Sequence, residues 1–508
     1  MNMELSLYTA GFEQVFNVNM ILLILLGTTL GVLTGSLPGL TATMGVSILV
    51  PVTYSMTPEA GILMLVGIYL GGVFGGAISA TLVNIPGTPS AVMTAMDAYP
   101  MAQRGEASRA LGIATFSSAF GGIFSVFILV LIAPIIADFA LEFTSYEMFS
   151  IALFGLTIIA VISAGSMIKG LIAGCLGLIL ASVGADPILG IPRLTFSSME
   201  LFGGVQFIAA MVGLFGVTEV LLNAEKHFNK LNSCKLDVIH FKASKVIPEW
   251  TDIKHLWANI LRSSTIGVII GAIPGAGGTI ASIVSYGVQT KASKQPDEMG
   301  KGSIEGIGAA ESANNSCTGG AMTTMLSLGI PGDAVTAILI GAFMIHGLQP
   351  GPLLFQNNID LVSTIFLGML VSNLFILVIG LGAAKAFAKL LSVPQAILNS
   401  AIIAFCFIGS YTIQNSFFDV KVMLFFALLG YAMVKADLPR APVVLALILG
   451  PLMESNLRRA LAINQDNFLY FAYSLLERPI AAAVLFITFL AIVSSLFKRS
   501  STVLIEEK

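Results

Sequence analysis

The stretch GAIPGAGGTIASIVSYG, residues 271–287, lies in an apolar segment yet carries Pro274 and glycines at 271, 275, 277, 278 and 287. A bilayer-spanning helix should run unbroken. An interruption strands backbone N–H and C=O groups away from water, at a cost on the order of several kcal/mol each. A related phrase, GSLPGLTATMGVSILVP, occupies residues 35–51. Two interruptions of the same form imply that the breaks are used.

The rest of the chain sets their environment. Of 508 residues, 56% are hydrophobic and only 10% charged, against roughly 25% charged in a soluble domain. Apolar runs of spanning length recur, among them MILLILLGTTLGVLTGSL, FGGIFSVFILVLIAPIIA and TIFLGMLVSNLFILVIGLGAA. No alternating barrel pattern accompanies them, so the fold class expected is an all-α polytopic membrane protein. Cys175, Cys234, Cys317 and Cys406 lie far apart without CxxC spacing, and the four histidines do not cluster. Neither a disulfide framework nor a metal centre is expected. A net charge of −3 with no basic stripe gives no sign of nucleic acid. No GxxxxGK[ST], HExxH, GxSxG or paired intramembrane aspartates occur, which argues against an ATP-driven pump and an intramembrane enzyme. The first basic residue is Arg104, so no cleavable signal is expected and the first spans must drive insertion.

Charges give the orientation. Lys226, Lys230, Lys235, Lys242, Lys245, Lys254 and Arg262 fall within 223–262, and Lys291, Lys294 and Lys301 within 289–305. Basic loops stay cytoplasmic. The residues between them, 263–288, are too few for two crossings, so a re-entrant hairpin turning at Pro274–Gly278 is expected from the cytoplasm. Its counterpart, 20–54, has no basic flank and is expected to enter from outside. Residues 61–97 then end inside, before Arg104 and Arg109, whereas 306–345 end outside. GGAISATLVNIPGTP (75–89) also resembles GGAMTTMLSLGIPGD (319–333) with one residue inserted. Together these features predict two inverted structural repeats with re-entrant hairpins and broken helices, a layout of secondary transporters. The organisation expected is a first repeat over 1–222, a cytoplasmic linker over 223–262, a second repeat over 263–497 and a tail over 498–508. The N-terminus is placed outside and the C-terminus in the cytoplasm. Arg458 and Arg459 fall in a loop that simple alternation puts outside, which leaves the last spans unassigned.

Glycine lets a ligand approach the backbone, and a fresh helix start offers free N–H groups with partial positive charge. The four Pro-Gly pairs, Pro38-Gly39, Pro86-Gly87, Pro274-Gly275 and Pro331-Gly332, therefore anchor the candidate substrate site. Ser36, Thr41, Asn84, Thr88 and Ser90 surround them in the first half. Gly277, Gly278, Thr279, Ser282, Asn314 and Asn315 do so in the second. Thr43, Ser316, Thr318 and Asp333 are assigned to a coupling ion, sodium being expected. A single Pro-Gly in a membrane helix is more often a kink; four in matched pairs with polar neighbours outweigh that reading. Asp333 fits a helix N-cap ahead of cation coordination. Asp97 is expected near the cytoplasmic interface, and Glu311 fits either the face of Asn314 or a helix start. No Lys or Arg lies in any break, so an anion would be neutralised by amides, side-chain donors and sodium. A cationic substrate would instead require intramembrane carboxylates.

YLGGVFGGAISATLVNIPGTPSAVMTAMDAYPMAQRGEASRALG (69–112) and IEGIGAAESANNSCTGGAMTTMLSLGIPGDAVTAILIGAFMIHGLQPGPLLF (304–355) resemble the signature regions of the large permease subunit of tripartite tricarboxylate transporters. SYTIQNSFFDVKVML (410–424) and GPLMESNLRRAL (450–461) also look like that family, so the resemblance covers roughly residues 20–470. It implies a permease in the bacterial inner membrane that works with a small four-helix membrane subunit and a periplasmic solute-binding protein. It further implies sodium-driven uptake of di- or tricarboxylates such as citrate, an elevator-like motion, and a homodimer of the complex as one assembly. The family's Pro-Gly hairpins and Asn-Asn segment correspond to Pro38-Gly39, Pro274-Gly275 and Asn314-Asn315. The competing class is a channel built from re-entrant loops. Channels usually gather such loops around a symmetry axis from several subunits, whereas one chain supplies the pair here.

Overall fold

Glycine spacing on two helices fixes how the core assembles. The computed structural model describes residues 11–37, 40–162, 167–186, 189–229, 247–382 and 395–506. Helices α1 (Val18–Ser36), α2 (Ala42–Thr53) and α3 (Pro58–Val83) come first. Gly27, Gly31 and Gly35 recur every fourth residue and so share one face of α1. That face meets the carbonyls of Met64, Ile68 and Gly72 on α3 in the same order. The two helices therefore run parallel at close backbone approach, as small residues permit in membranes. Between them α2 returns: Gly45 lies against Thr34, and Gly61 of α3 against Thr53. The result is a helical hairpin whose break falls level with Gly72, near the middle of α3. Pro38 and Gly39, at its tip, lie outside the described residues.

The same arrangement recurs later. The chain continues through α4 (Val92–Gln103) and α5 (Ala107–Ala140), then α6 (Trp250–Gly271), α7 (Gly277–Ala292) and α8 (Ile304–Leu328), with α9 (Ala334–Ile345) and α10 (Ile359–Gly382) following. Gly267 and Gly271 on α6 face the carbonyls of Ala313 and Cys317 on α8, so these two helices are parallel. Helix α7 runs back along α8: Gly278 lies beside Asn314 and Gly306 beside Tyr286, while Ser282 Oγ donates to Ala310 O at 3.2 Å. From Ile304 to Asn314 the helix rises ~15 Å at about 1.5 Å per residue, so the tip of this hairpin reaches about half-way along α8.

The hairpins open at opposite ends of this block. Helix α3 leaves the base of the first and crosses α8 where Asn314 Nδ2 donates to Val73 O at 3.3 Å. After Val83 the chain doubles back, bringing Thr88 beside Gly76. Helix α4 then continues in the direction of α3, with Ala91 and Ala95 packed on Ala80. It ends at the base of the second hairpin, where Arg104 donates to the carbonyls of Lys301 and Gly302 at 2.7 and 3.0 Å.

Two compact units emerge, Met1–Ala137 with Phe215–Ser416, and Asp138–Leu214 with Phe417–Lys508. Both hairpins belong to the first. In the second, Gly177 packs on Val443 O and Gly213 on Met423 O. There Gly184–Ala185 pairs antiparallel with Pro192–Arg193. Among the described residues six helices are long and apolar enough to cross a membrane, α1, α3, α5 and α10 plus Phe207–Glu225 and Phe417–Lys435, and Phe468–Glu477 with Pro479–Val493 forms a pair bent by 97°. The chain is a multi-pass membrane protein.

Two expectations change. Residues 223–262 are not all loop: one helix runs Thr218–Asn229 and α6 begins at Trp250. Their basic residues ride partly on helices, with Arg262 donating to Gln289 of α7. Arg458 and Arg459 lie inside the helix Ala441–Ile463 rather than in a loop. Arg458 pairs with Asp186 at 2.7 Å and Glu454 at 3.0 Å, so protein carboxylates neutralise it. Asp97 is fully buried in protein, beside the connector at the base of the second hairpin. Its Oδ1 accepts the backbone N–H groups of Gly300, Gly302 and Ser303 at 2.7–2.9 Å, and its Oδ2 accepts Tyr286 O–H at 2.8 Å.

The close approaches make a test. A side chain at Gly87 would collide with Gly35 O, and one at Gly332 would come within 2.5 Å of Gly271 O. Gly87→Val and Gly332→Val should each lower the unfolding midpoint of the detergent-solubilised protein, overpacking costing about 1–3 kcal/mol. Gly287→Ala, where an added Cβ meets nothing within 4 Å, should not lower it, since alanine favours the helix over glycine. Equal midpoints for all three variants would contradict the packing described.

Candidate substrate site at the helix breaks

Each Pro-Gly break ends one helix and starts another, and the four starts meet at one level. Gly87 packs on Gly35 O, and Gly332 on Gly271 O, so in each half the second break rests on the last glycine of the hairpin's first helix. The tip of the second hairpin is closed by Gly275 N–H, which donates to Gly332 O at 2.7 Å. Gly275 and Gly277 have φ of +78° and +64°, a region that residues with a Cβ rarely occupy. The two halves then touch. Gly278 lies beside Asn314 Oδ1 and Ser90 Cβ, and Gly277 beside Asp333 Cβ. Asn314 also reaches Val73 O, and Tyr69 O–H of α3 donates to Asp333 Oδ2 at 2.6 Å.

The starts are finished differently. Thr41 caps α2, its Oγ1 accepting Met44 N–H at 3.2 Å. Asp333 caps α9 with a full capping box, Oδ1 accepting Thr336 N–H at 2.8 Å while Thr336 Oγ1 accepts Asp333 N–H at 2.9 Å. No side chain caps α7, nor the 3-10 turn Pro89–Ala91 that leads into α4. Those two uncapped starts face each other across Gly278 and Ser90. Unpaired N–H groups at a helix start, each helix carrying about half a positive charge there, suit an anion. Gly277, Gly278, Thr279 and Asp333 are only half-buried, so the place is reachable. Asn314 Oδ1 is buried and has no hydrogen-bond partner among protein groups.

The sequence-derived residues divide accordingly. Thr88, Gly277, Gly278, Thr279, Asn314, Gly332 and Asp333 gather at the convergence, with Pro274, Gly275 and Pro331 building its turns and Gly87 seated on Gly35. Asn84 does not join them. It ends α3 in the left-handed region at φ +53°, exposed, where Gly329 ends α8 at φ +72°; Asn tolerates that conformation better than most residues. Pro86 is half-exposed beside it. Ser36 donates to Leu33 O within its own helix. Of the ion residues, Ser316 and Thr318 donate to Ala313 O and Asn315 O. Thr43 is half-buried on the first turn of α2. Asp333 is the cap that the sequence favoured.

Asn315 parts from Asn314, because adjacent helical residues point about 100° apart. Its Nδ2 donates to Ser118 O at 2.8 Å and to Asn373 Oδ1 at 3.0 Å, facing α5 and α10. Glu311 is not at a helix start; it lies within α8, fully buried, accepting Thr94 O–H at 2.5 Å and Ser118 O–H at 3.1 Å. Tyr69, Thr94, Ser118 and Asn373 escaped the sequence reading. The spacing of Glu311, three before Asn314 and four before Asn315, was the available signal. A polar cleft lined by Arg104, Arg109, His255 and Glu305 also opens at the base of the second hairpin. It is remote from the tips and framed by surface ion pairs, so it is not the candidate site.

Comparison with known sequences bears on this geometry. A family described as "Tripartite tricarboxylate transporter TctA family" matches residues 21–445. The chain belongs to the TctA family. This makes it a membrane transport protein of a tripartite system, with partner subunits implied. A relative in Agrobacterium vitis, "Uncharacterized 52.8 kDa protein in TAR-I ttuC' 3'region", is 34% identical over 503 residues, 99% of each chain. Another from the same organism, "Uncharacterized protein in TAR-II ttuC' 3'region", is 35% identical over 245 residues, 47% of this chain and 100% of its own. No solved structure matches. All four breaks of this TctA-family chain, and both hairpins but for the first residues of α1, fall inside the matched region.

The cap and the tyrosine contact of Asp333 can be separated. Asp333→Ala should lower the unfolding midpoint, a lost cap costing about 1 kcal/mol. Asp333→Ser, which keeps a cap but loses the acceptor for Tyr69, should fall between Ala and wild type. Thermal unfolding of the purified variants reads the order, and an unchanged midpoint for Asp333→Ala would remove the capping role.

Proposed function

We propose that this chain is the permease subunit of a secondary transporter that imports di- or tricarboxylates, citrate-like in charge, across the bacterial inner membrane. Sodium is the coupling ion in this reading, a periplasmic binding protein delivers the substrate, and a small four-helix membrane subunit completes the complex. The observation that carries it is the meeting of four helix starts half-way along α3 and α8, two of them uncapped. A carboxylate there exchanges its hydration for amide N–H groups at the start of α7 and for that of Ser90, since Pro89 has no N–H and Ala91 N–H already donates to Thr88 O. Asn314 Nδ2 and the hydroxyls of Thr88, Ser90 and Thr279 add orientation. Binding an anion without Lys or Arg leaves its charge incompletely balanced, which favours taking up a cation with it.

Two features support an inverted duplication. The Gly87–Gly35 and Gly332–Gly271 contacts are equivalent in sequence, and the hairpins open at opposite ends. Such a pair gives access from either side of the membrane to one site at the level of the tips. Movement of the first compact unit as a carrier, in elevator fashion, fits the gathering of all four breaks within it.

The test is radiolabelled citrate uptake in proteoliposomes holding the permease and small subunit, with binding protein added outside, with and without sodium. Saturable, binding-protein-dependent uptake that rises with an inward sodium gradient is expected. Uptake that neither saturates nor needs the binding protein would point to a channel. Asn314→Ala should reduce uptake about tenfold or more, the loss of one hydrogen bond to a charged ligand, with membrane insertion intact. Gly275→Leu should abolish it. Asn84→Gly should transport like wild type. Wild-type uptake by Asn314→Ala would remove the site assignment.

A further inference from the structure

We propose that Glu311 holds a proton that is exchanged during the transport cycle, making it a proton-coupling site separate from the sodium ligands considered above. This rests on the transport reading of the helix breaks. The carboxyl group is fully buried in α8 with Thr94 Oγ1 at 2.5 Å and Ser118 Oγ at 3.1 Å. Among the described residues no cationic side chain pairs with it. An ionised carboxylate in such surroundings is strongly disfavoured unless paired, so the group takes a proton in the state described and releases it only when water or a cation reaches it. Thr94 and Ser118 face different carboxyl oxygens, so the hydroxyl at the protonated oxygen accepts while the other donates, and both donate once the proton leaves, which makes the anionic form accessible rather than forbidden.

The charged and titratable groups on the helices around it are engaged elsewhere. Asp97 of α4 is held by Tyr286 of α7 and by backbone N–H groups. Arg109 of α5 pairs with Asp252 of α6. Arg262 of α6 donates to Gln289, and His255 contacts Glu305 at the start of α8. Tyr69 of α3 is bound to Asp333. Helix α10 contributes Asn373, whose Oδ1 accepts from Asn315, and carries Asp360 in its first turn. A hard cation collects about six oxygens, and the hydroxyls of Thr94 and Ser118 instead close directly onto the carboxyl, Thr94 at a short 2.5 Å and Ser118 at an ordinary 3.1 Å. The geometry points to a proton.

Its position explains how occupancy would reach the substrate. Helix α8 carries Glu311 and, one turn on, Asn314. Thr94 lies on α4, and Ser90, in the turn Pro89–Ala91 that leads into α4, lies beside Gly278 of α7. The Glu311–Thr94 bond thus joins α8, which carries Asn314 to the breaks, to α4, whose lead-in turn faces the start of α7. Gain or loss of the proton alters that junction, and substrate binding alters the same junction from the other side. Asn315 Oδ1, buried beside Ser118 and without a hydrogen-bond partner, offers a further acceptor in the cluster.

Two measurements test this. Infrared difference spectra of the purified full chain in lipid, recorded across a pH titration, should contain the C=O stretch of a buried protonated carboxylic acid, absent from Glu311→Gln and shifted in Glu311→Asp. No such band in wild type at any pH, or its survival in Glu311→Gln, overturns the proposal. Loss of the band on adding sodium at constant pH would make the group a sodium ligand and overturn it equally. In proteoliposomes with all three components and radiolabelled citrate, Glu311→Gln should lose uptake driven by a pH gradient yet keep citrate exchange across the membrane. Wild-type pH-driven uptake by Glu311→Gln overturns the inference while leaving transport standing. Failure of wild type to move citrate at all would count against the transport reading, and the infrared result would still decide the proton.

Discussion

Interrupted helices survive in a bilayer only if protein, rather than lipid, surrounds the exposed peptide groups, and here glycine-to-carbonyl contacts supply that cover. On α1 and α6 the glycines bring neighbouring backbones together so closely that a methyl group would not fit. The hairpin helices can then lie parallel to α3 and α8 with their breaks sealed against the middle of a continuous helix. Gly275 N–H finds its acceptor on Gly332, in the other break of the same half. Each break thereby helps satisfy the next. Everything proposed about anion binding depends on this mutual support, because it leaves only selected N–H groups unoccupied.

Polar residues inside the first unit follow from the same constraint. Helix α8 contains Glu311, Ser312, Asn314, Asn315, Ser316 and Thr318, all buried, a content that lipid would not tolerate. It is solvated by its neighbours instead: Thr94, Asn373 and Val73 O each take one contact and Ser118 takes two. The helix faces protein on every side, which frees it to carry chemistry. Helix α3 is equally enclosed but almost wholly apolar, with Tyr69 as its main polar contribution. The two halves thus share geometry and divide the labour.

Much of this was legible in the sequence. The Pro-Gly phrases announced the breaks, and basic flanks set against uncharged ones placed the hairpins at opposite ends. The similarity of 75–89 to 319–333 matched segments that make equivalent contacts. Local signals of this kind survive because proline and glycine act on their own backbone. What the sequence concealed was direction. Asn314 and Asn315 look alike as a pair, yet rotation about the helix sends one to the tip and the other to α10. Asn84 looked like a ligand because it sits beside Pro86-Gly87, but its backbone conformation explains it. The contacts of Asp97 and Glu311 were hidden because their partners, Ser303 and Thr94 among them, lie some two hundred positions away in the chain.

The grip of Asp97 on the loop before α8 has a consequence for how that stretch behaves in water. Lys301 is an exposed basic residue on a short connector, the kind of place where a digestive enzyme such as trypsin usually cuts. Yet Gly300 and Gly302, on either side of it, have their amides tied to one carboxylate, and its own carbonyl is taken by Arg104. A protease must stretch its target into an extended strand, and this connector cannot stretch without tearing loose from a buried side chain. It should resist nicking and hold its amide hydrogens long after other exposed turns have surrendered theirs.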